Sequence, residues 1–362
     1  MKINPVVSVL IPVFNCQKYV LEAVNSILRQ TFTDFELIVV DDGSTDNTPK
    51  ILKSIKDRRL RLFFNEKNMR QPYSRNKGIE VANGDYIALL DADDVATPDR
   101  LEKQLLFFKK YSDCAVLGSF EGVIDENSKL IKNKIICRYK KPDYIYSSLL
   151  FLYPYVTHRS VMAKSEILKQ FKYNEEYVTC QDYDLFSRIC LSGYKLYNIN
   201  EILVFRREHS NRITHDKWRI SFEKRKEIAK GLLNKLQINF NEDDLLQHVY
   251  LRKLHIKRDL YKIDLTFLKW AEDWLLKLID ANNKLKIYPV KAFKNLAGKC
   301  WRTIYFNGNF KVKKQSTQIF ITSKLFKYAL FSLKTDFTQL YINKVKCKKK
   351  LSKLYNSVFS QL

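Results

Sequence analysis

Apolar residues recur along this chain in two rhythms, and its N-terminal half alternates between them. Continuous apolar, β-branched runs mark buried strands at VVSVLIPVF (6–14), FELIVVDDGS (35–44), LRLFFN (60–65) and DYIALLDADD (85–94). Between them lie segments with helical spacing. In CQKYVLEAVNSILRQ (16–30) the stripe is Tyr19, Val20, Ala23, Val24, Ile27 and Leu28. NTPKILKSIK carries Pro49 in its first turn, and YSRNKGIEVA (73–82) is closed by Asn83-Gly84. TPDRLEKQLLFFKKY is expected to start with Thr97 as N-cap and Pro98 at the first helical position. This β-α alternation implies an α/β fold with a Rossmann-like, doubly wound and mostly parallel sheet.

After residue 113 the rhythm changes. CAVLGSF and KLIKNKIICRY read as strands around a turn at DENSK. CQDYDLFSRICLSG (180–193) reads as a helix with Leu185, Phe186, Ile189 and Cys190 on one side and Gly193 as its stop. LYNINEILVFRR (196–207) is a further strand, and from about residue 217 only helical patterns remain. The expected organisation is therefore a catalytic α/β domain over 1–216 and a helical region over 217–362.

Charge sharpens that boundary. The 362 residues carry a formal net charge of +25. Residues 1–216 hold 32 Lys and Arg against 28 Asp and Glu, whereas residues 217–362 hold 32 against 11. The basic region points to phosphate-bearing partners, and two readings stand for it: docking on an anionic membrane surface, or a small helical domain with a solvated charged face. Nucleic acid is a weaker match, because the positive charge is absent from the half that bears motifs and no C₂H₂, RNP or KH pattern occurs. Seven Cys without a C-x-x-C pair favour reduced thiols and a cytoplasmic setting, with no zinc site. The N-terminal MKINPVVSVLIPVF reads as a first strand and not a signal peptide, and no run suits a transmembrane helix.

The chemistry concentrates where strands end. Asp41-Asp42 and then Asp91, Asp93 and Asp94 fall at the carboxyl ends of strands, the edge where open α/β sheets bind ligands. Clustered carboxylates need positive charge nearby. A Mn²⁺ or Mg²⁺ ion with a diphosphate would supply it, since such ions take one or two carboxylates while phosphates complete the shell. A calcium loop fits poorly, with Ala96 where Gly is required and Pro98 inside it. A metal-dependent nucleotidyltransferase fits the cluster, but no N-terminal Gly-rich, Lys-bearing phosphate loop occurs.

Three ordered motifs carry a resemblance over residues 5–215: VSVLIPVFNCQKYVLEAVNSILRQTFTDFELIVVDDGSTDNT, RNKGIEVANGDYIALLDADD and QDYDLFSRI. They resemble the family 2 glycosyltransferases of GT-A fold, and most closely the bacterial surface-polysaccharide and lipooligosaccharide members. The resemblance implies inverting transfer of one sugar from a nucleotide-sugar, usually a UDP-sugar, to a glycan or lipid-linked glycan acceptor. It implies that Pro12 and Phe14 line the base pocket, that Asp42 accepts a bond from uracil or ribose, and that Arg75 lies near the nucleotide. Asp93, with Asp91 beside it, would be the D-x-D element, and His209 would join the metal or the diphosphate. Asp182 would be the general base, while Gln181 and His158 would face the acceptor.

Two positions depart from the family pattern: Arg70 stands in a loop where Gly is common, and Gln181 replaces the Glu of a Glu-Asp pair. No Q-x-x-R-W, the signature of processive synthases in this family, is present. Single transfer on the inner face of the cytoplasmic membrane is the resulting expectation.

Overall fold

The computed structural model describes residues 4–136, 139–151, 156–209, 218–251, 263–308, 313–336 and 342–360. Cys137, part of the loop 150–160 and the expected boundary at 216 lie outside these residues, as does the side chain of Cys347. The chain divides into two compact units.

The first unit comprises Met1–Lys140, Val156–Asp216 and Asn343–Leu362. Its N-terminal half follows the expected alternation: β1 (Val7–Val13), α1 (Val20–Leu28), β2 (Phe35–Asp41), α2 (Thr48–Ser54), β3 (Leu60–Phe64), α3 (Gln71–Val81) and β4 (Tyr86–Leu89). Strands β3-β2-β1-β4 are parallel neighbours, and every residue of β1 and β2 is buried, which is why their sequences are largely apolar. Pro12 is tolerated in this central strand for a local reason. Its pairing with β4 ends at Leu10–Leu89, so the missing N–H falls beyond the neighbour.

After β4 come β5 (Val95–Ala96), α4 (Arg100–Lys110), β6 (Cys114–Ile124) and β7 (Leu130–Ile136). In the second unit follows α5 (Pro142–Leu150), and then in the first a 3-10 turn at His158–Ser160, β8 (Met162–Lys164), α6 (Ser165–Phe171), α7 (Gln181–Leu191) and β9 (Lys195–Arg207). The sheet order is β3-β2-β1-β4-β8-β6-β9-β5, with β7 paired to β6. Beyond β4 the sheet is mixed: β8 is antiparallel to β4 and β6, β9 is parallel to β6, and β5 is antiparallel to β9. Short β5 overturns the expected Thr97 cap. Thr97 is held to β9 by its N–H on the Leu203 carbonyl, and its hydroxyl donates to Asp99 Oδ1 instead of capping, so α4 starts only at Arg100, with Asp99 in the cap position and Pro98 outside the helix.

The second unit comprises Lys141–Tyr155 and Lys217–Ile342. It is helical: α8 (Trp218–Lys235), α9 (Glu242–Tyr250), α10 (Leu265–Leu285), α11 (Val290–Asn307), α12 (Lys313–Thr322) and α13 (Phe326–Asp336) accompany α5. Two stretches thus sit differently from a plain division at 216. The α5 segment packs its rings into the helical unit, with Phe151 against Phe293 and Tyr146 against Tyr288. Conversely, the last helix, α14 (Ile342–Phe359), packs on the sheet: Leu351 and Val358 share a core with Phe120, Ile124 and Phe205, and the Tyr355 hydroxyl donates to the Ser128 carbonyl.

Within the helical unit His248 is a structural histidine. Trp274 Nε1 donates to its Nδ1, so Nε2 carries the proton toward the Leu150 carbonyl, and burial lowers its pKa to about 4. Among the described residues no helix is long and apolar enough to cross a membrane.

Candidate active site

The sharp turn after β4 gathers the carboxylates. Leu90 N–H still bonds the Leu10 carbonyl, then Asp94 N–H closes back on the Asp91 carbonyl, and the chain enters β5. Ligand atoms of Asp91, Asp93 and Asp94 all lie within 4.8 Å of one another. The positive charge that makes this tolerable comes first from arginines, to which the sequence patterns assign no such role.

Arg159, from the 3-10 turn, ion-pairs with Asp94 at 2.9 Å, Glu121 at 3.3 Å and Asp91 at 3.8 Å. Arg75, from α3, donates to Asp91 Oδ1 at 2.9 Å. Burial raises the Asp91 carboxyl, but Arg159 and then Arg75 outweigh it and hold the pKa down at about 2. Asp94 is fully buried, and desolvation pushes its carboxyl above the usual range although Arg159 opposes.

The Asp93 carboxylate forms no ion pair with an arginine among the described residues. Its Oδ2 meets His209 Nε2 at 3.0 Å, two residues past the end of β9. Fully buried Arg207 fixes that meeting. Its backbone N–H donates to Asp94 Oδ1 and its Nε to the Asp93 carbonyl, each at 2.9 Å. Its guanidinium also bonds Glu22 and the Ser128 hydroxyl and lies over the Tyr19 ring, which in turn faces His209. A carboxylate and an imidazole converging from two locked segments fit a Mn²⁺ or Mg²⁺ site.

A second group of residues lies around α7. Asp182, in its first turn, is half-buried, and Oδ1 accepts the neighbouring Tyr183 N–H. The cap position belongs to Cys180, in left-handed conformation with φ +63°. Asp184 instead ties down its own helix through two bonds to Arg188. Asp182 is close enough for its charge to bear on His158 and Tyr173, which share a 2.7 Å hydrogen bond. Burial, then the Arg75 charge, lowers the His158 pKa to about 3, so the ring is neutral. Tyr173 also underlies the Arg75 guanidinium, at 5.6 Å, which links this group to Asp91. Gln181 is buried, and its amide donates to Gln71.

The remaining expected residues sit at the ends of β1 and β2. Pro12 is buried within its strand and Phe14 is exposed just beyond it. Asp42 is buried, and its Oδ1 accepts from Asn65 Nδ2 and the Met69 N–H, so it organises the loop 65–70. At the end of that loop Arg70 has φ +75° and ψ 157°, a region suited to Gly alone. Arg70→Gly is expected to raise the unfolding free energy by about 1 kcal/mol by relieving this strain. Urea denaturation reads it, and a less stable variant would refute it.

Sequence reasoning missed Arg159, Tyr173 and Arg207. Two of them lie within two residues of ones that it singles out, His158 and His209, but a buried arginine leaves no periodic signature. Arg206-Arg207 at the end of an apolar run was the available signal.

The model of glycosyl transferase family 2 matches residues 8–187. An uncharacterized glycosyltransferase of Methanocaldococcus jannaschii is 38% identical over 205 residues, 56% of this chain and 70% of that one. A Bacillus subtilis protein provisionally named for teichuronic acid biosynthesis, TuaG, is 31% identical over 218 residues, 60% of this chain and 84% of that one. S. aureus TarS, solved in complex with UDP-GlcNAc, superposes with a TM-score of 0.56 at 18% identity, covering 86% of this chain and 91% of that one. With the parallel strands, the carboxylate turn after β4 and these relatives in hand, the chain belongs to glycosyl transferase family 2 and has the GT-A fold.

Proposed function

We propose that this glycosyltransferase moves a single sugar, with inversion, from a UDP-sugar to a glycan or lipid-linked glycan during bacterial surface-polysaccharide synthesis. The carrying observation is the Asp93–His209 pair at the carboxyl edge of the sheet, linked through Asp91, Arg75 and Tyr173 to the neighbourhood of Asp182. The nucleotide donor is supported by a structural neighbour crystallised with UDP-GlcNAc, and the polymer setting by the name of TuaG.

In this reading Asp42 and Phe14 hold the nucleoside, with Pro12 fixing the strand end behind them. Asp93 and His209 hold the divalent ion, which would neutralise charge on the departing diphosphate. Arg159 and then Arg75 keep Asp91 ionised, and the Arg75 bond holds it in place. The acceptor hydroxyl, oriented by Gln181 and His158, gives its proton to an Asp182 carboxylate oxygen as its own oxygen bonds the anomeric carbon. The bond from that carbon to the diphosphate breaks in the same displacement, so the configuration inverts.

UDP release from a panel of UDP-sugars tests this. One donor is expected to give release that disappears with EDTA and falls about a hundredfold or more in Asp93→Ala. Release unaffected by both would remove Asp93 and the metal from the reading, and absence of UDP binding would remove the donor class.

A further inference from the structure

We propose that the outward face of α12 and α13 is a docking surface for an anionic lipid bilayer. The seating of α13 decides which of its faces is outward. Gly298 of α11 lets the α13 backbone approach so closely that a Cβ there would lie 2.2 Å from the Tyr328 carbonyl carbon. Leu325, Ala329 and Ser332 are buried on that side, and Arg302 bonds the Ala329 carbonyl and the Ser332 hydroxyl. The opposite side carries Lys327, Leu330, Phe331 and Leu333, all exposed, Phe331 by 61%.

The patch continues beyond one helix. Ile321 of α12 is exposed beside Phe320, and Phe306 at the end of α11 is 71% exposed with its ring edge-on to Phe320. Phe320 in turn meets Phe326, the first residue of α13. Lys313 and Lys314 of α12 are exposed, as is Lys324 between the two helices. Across residues 281–336 there are 12 Lys and Arg and a single acidic residue, Asp336.

Isolated exposed apolar side chains are ordinary, but five large ones on consecutive helices with lysines between them are not. Charge complementarity selects an anionic partner. Aliphatic Ile321, Leu330 and Leu333 gain nothing on a phosphate backbone, whereas in the acyl boundary they are buried while lysines meet lipid phosphates. This is an interfacial, non-spanning attachment, and it stands independently of donor and mechanism.

Co-flotation of the full chain with vesicles tests it, comparing phosphatidylglycerol mixed into phosphatidylcholine with phosphatidylcholine alone. Binding is expected only to the anionic vesicles. L330S/F331S is expected to weaken it by about tenfold or more, and K324E/K327E to abolish it, with the melting temperature unchanged in both. Equal binding to neutral vesicles, or full binding by both variants, would overturn the proposal. So would duplex DNA binding without vesicle binding, or a dimer in solution that L330S/F331S dissociates without any vesicle binding by the parent chain.

Discussion

Asn in place of Asp182 is expected to reduce sugar transfer by about a thousandfold, within the usual range for a positioned general base, while UDP binding stays unchanged. Asn keeps the shape and the bond from the Tyr183 N–H but cannot accept the acceptor proton. The loss should fall on kcat, because the interaction removed is made with a proton in flight. The neighbouring carboxylate is the control. Asp184 is engaged by Arg188, which also bonds the Phe171 and Lys172 carbonyls, so Asp184→Asn should lower the melting temperature with little change in kcat. If the two variants behave alike, the negative charge at the head of α7 matters only as a helix-end charge, and Asp182 is not the base. If Asp182→Asn retains full turnover, the base must be sought elsewhere around His158 and Tyr173.

The legible part of this protein was the part written in short range. Apolar runs ending in Asp42 and in Asp91–Asp94 gave the parallel strands and placed the carboxylates at the ligand-binding edge. The helix at 181–191, its apolar side and its glycine stop were equally local. What escaped depends on contacts far apart in sequence. The expected cap at Thr97 failed because β9 holds that residue through the Leu203 carbonyl and its hydroxyl turns to Asp99, so the helix begins later. The mixed half of the sheet follows from β8 and β9 inserting beside strands that precede them by many residues. Placing α5 with the sheet and α14 with the helices fails for the same reason, since no composition shift marks either exchange. The acidic cluster shows the limit most clearly, because composition alone suggests that it waits for a metal. In the structure Asp91 and Asp94 are balanced by Arg75 and Arg159, and Asp93 alone turns to His209.

That balance makes Arg159 the residue with the largest expected effect on stability. Arg159→Met keeps much of the side-chain volume but removes the cation from among Asp94, Glu121 and Asp91. Asp94 is 0% and Glu121 1% exposed, so neither can recover hydration. Stranding buried charge in this way is expected to cost roughly 3–5 kcal/mol. The pH dependence has a definite sign. Without Arg159 the Asp94 carboxyl, already raised by burial, rises further in the folded state than in the unfolded chain. The folded variant then binds the extra proton, so its stability falls as pH rises through that pKa and returns as pH falls. Asp91 acts in the same direction: Arg159 contributes to holding it at about 2, a stabilisation present above the unfolded carboxylate pKa and missing from the variant. The deficit relative to the parent chain should therefore be greatest at neutral pH and shrink in mild acid. Arg159→Lys, which retains the charge but cannot reach three carboxylates at once, should fall between the two. Urea unfolding of the three proteins across that pH range decides the matter. A deficit under about 1 kcal/mol at neutral pH, or one that grows in acid, would mean that the carboxylate turn does not depend on Arg159 for its charge balance.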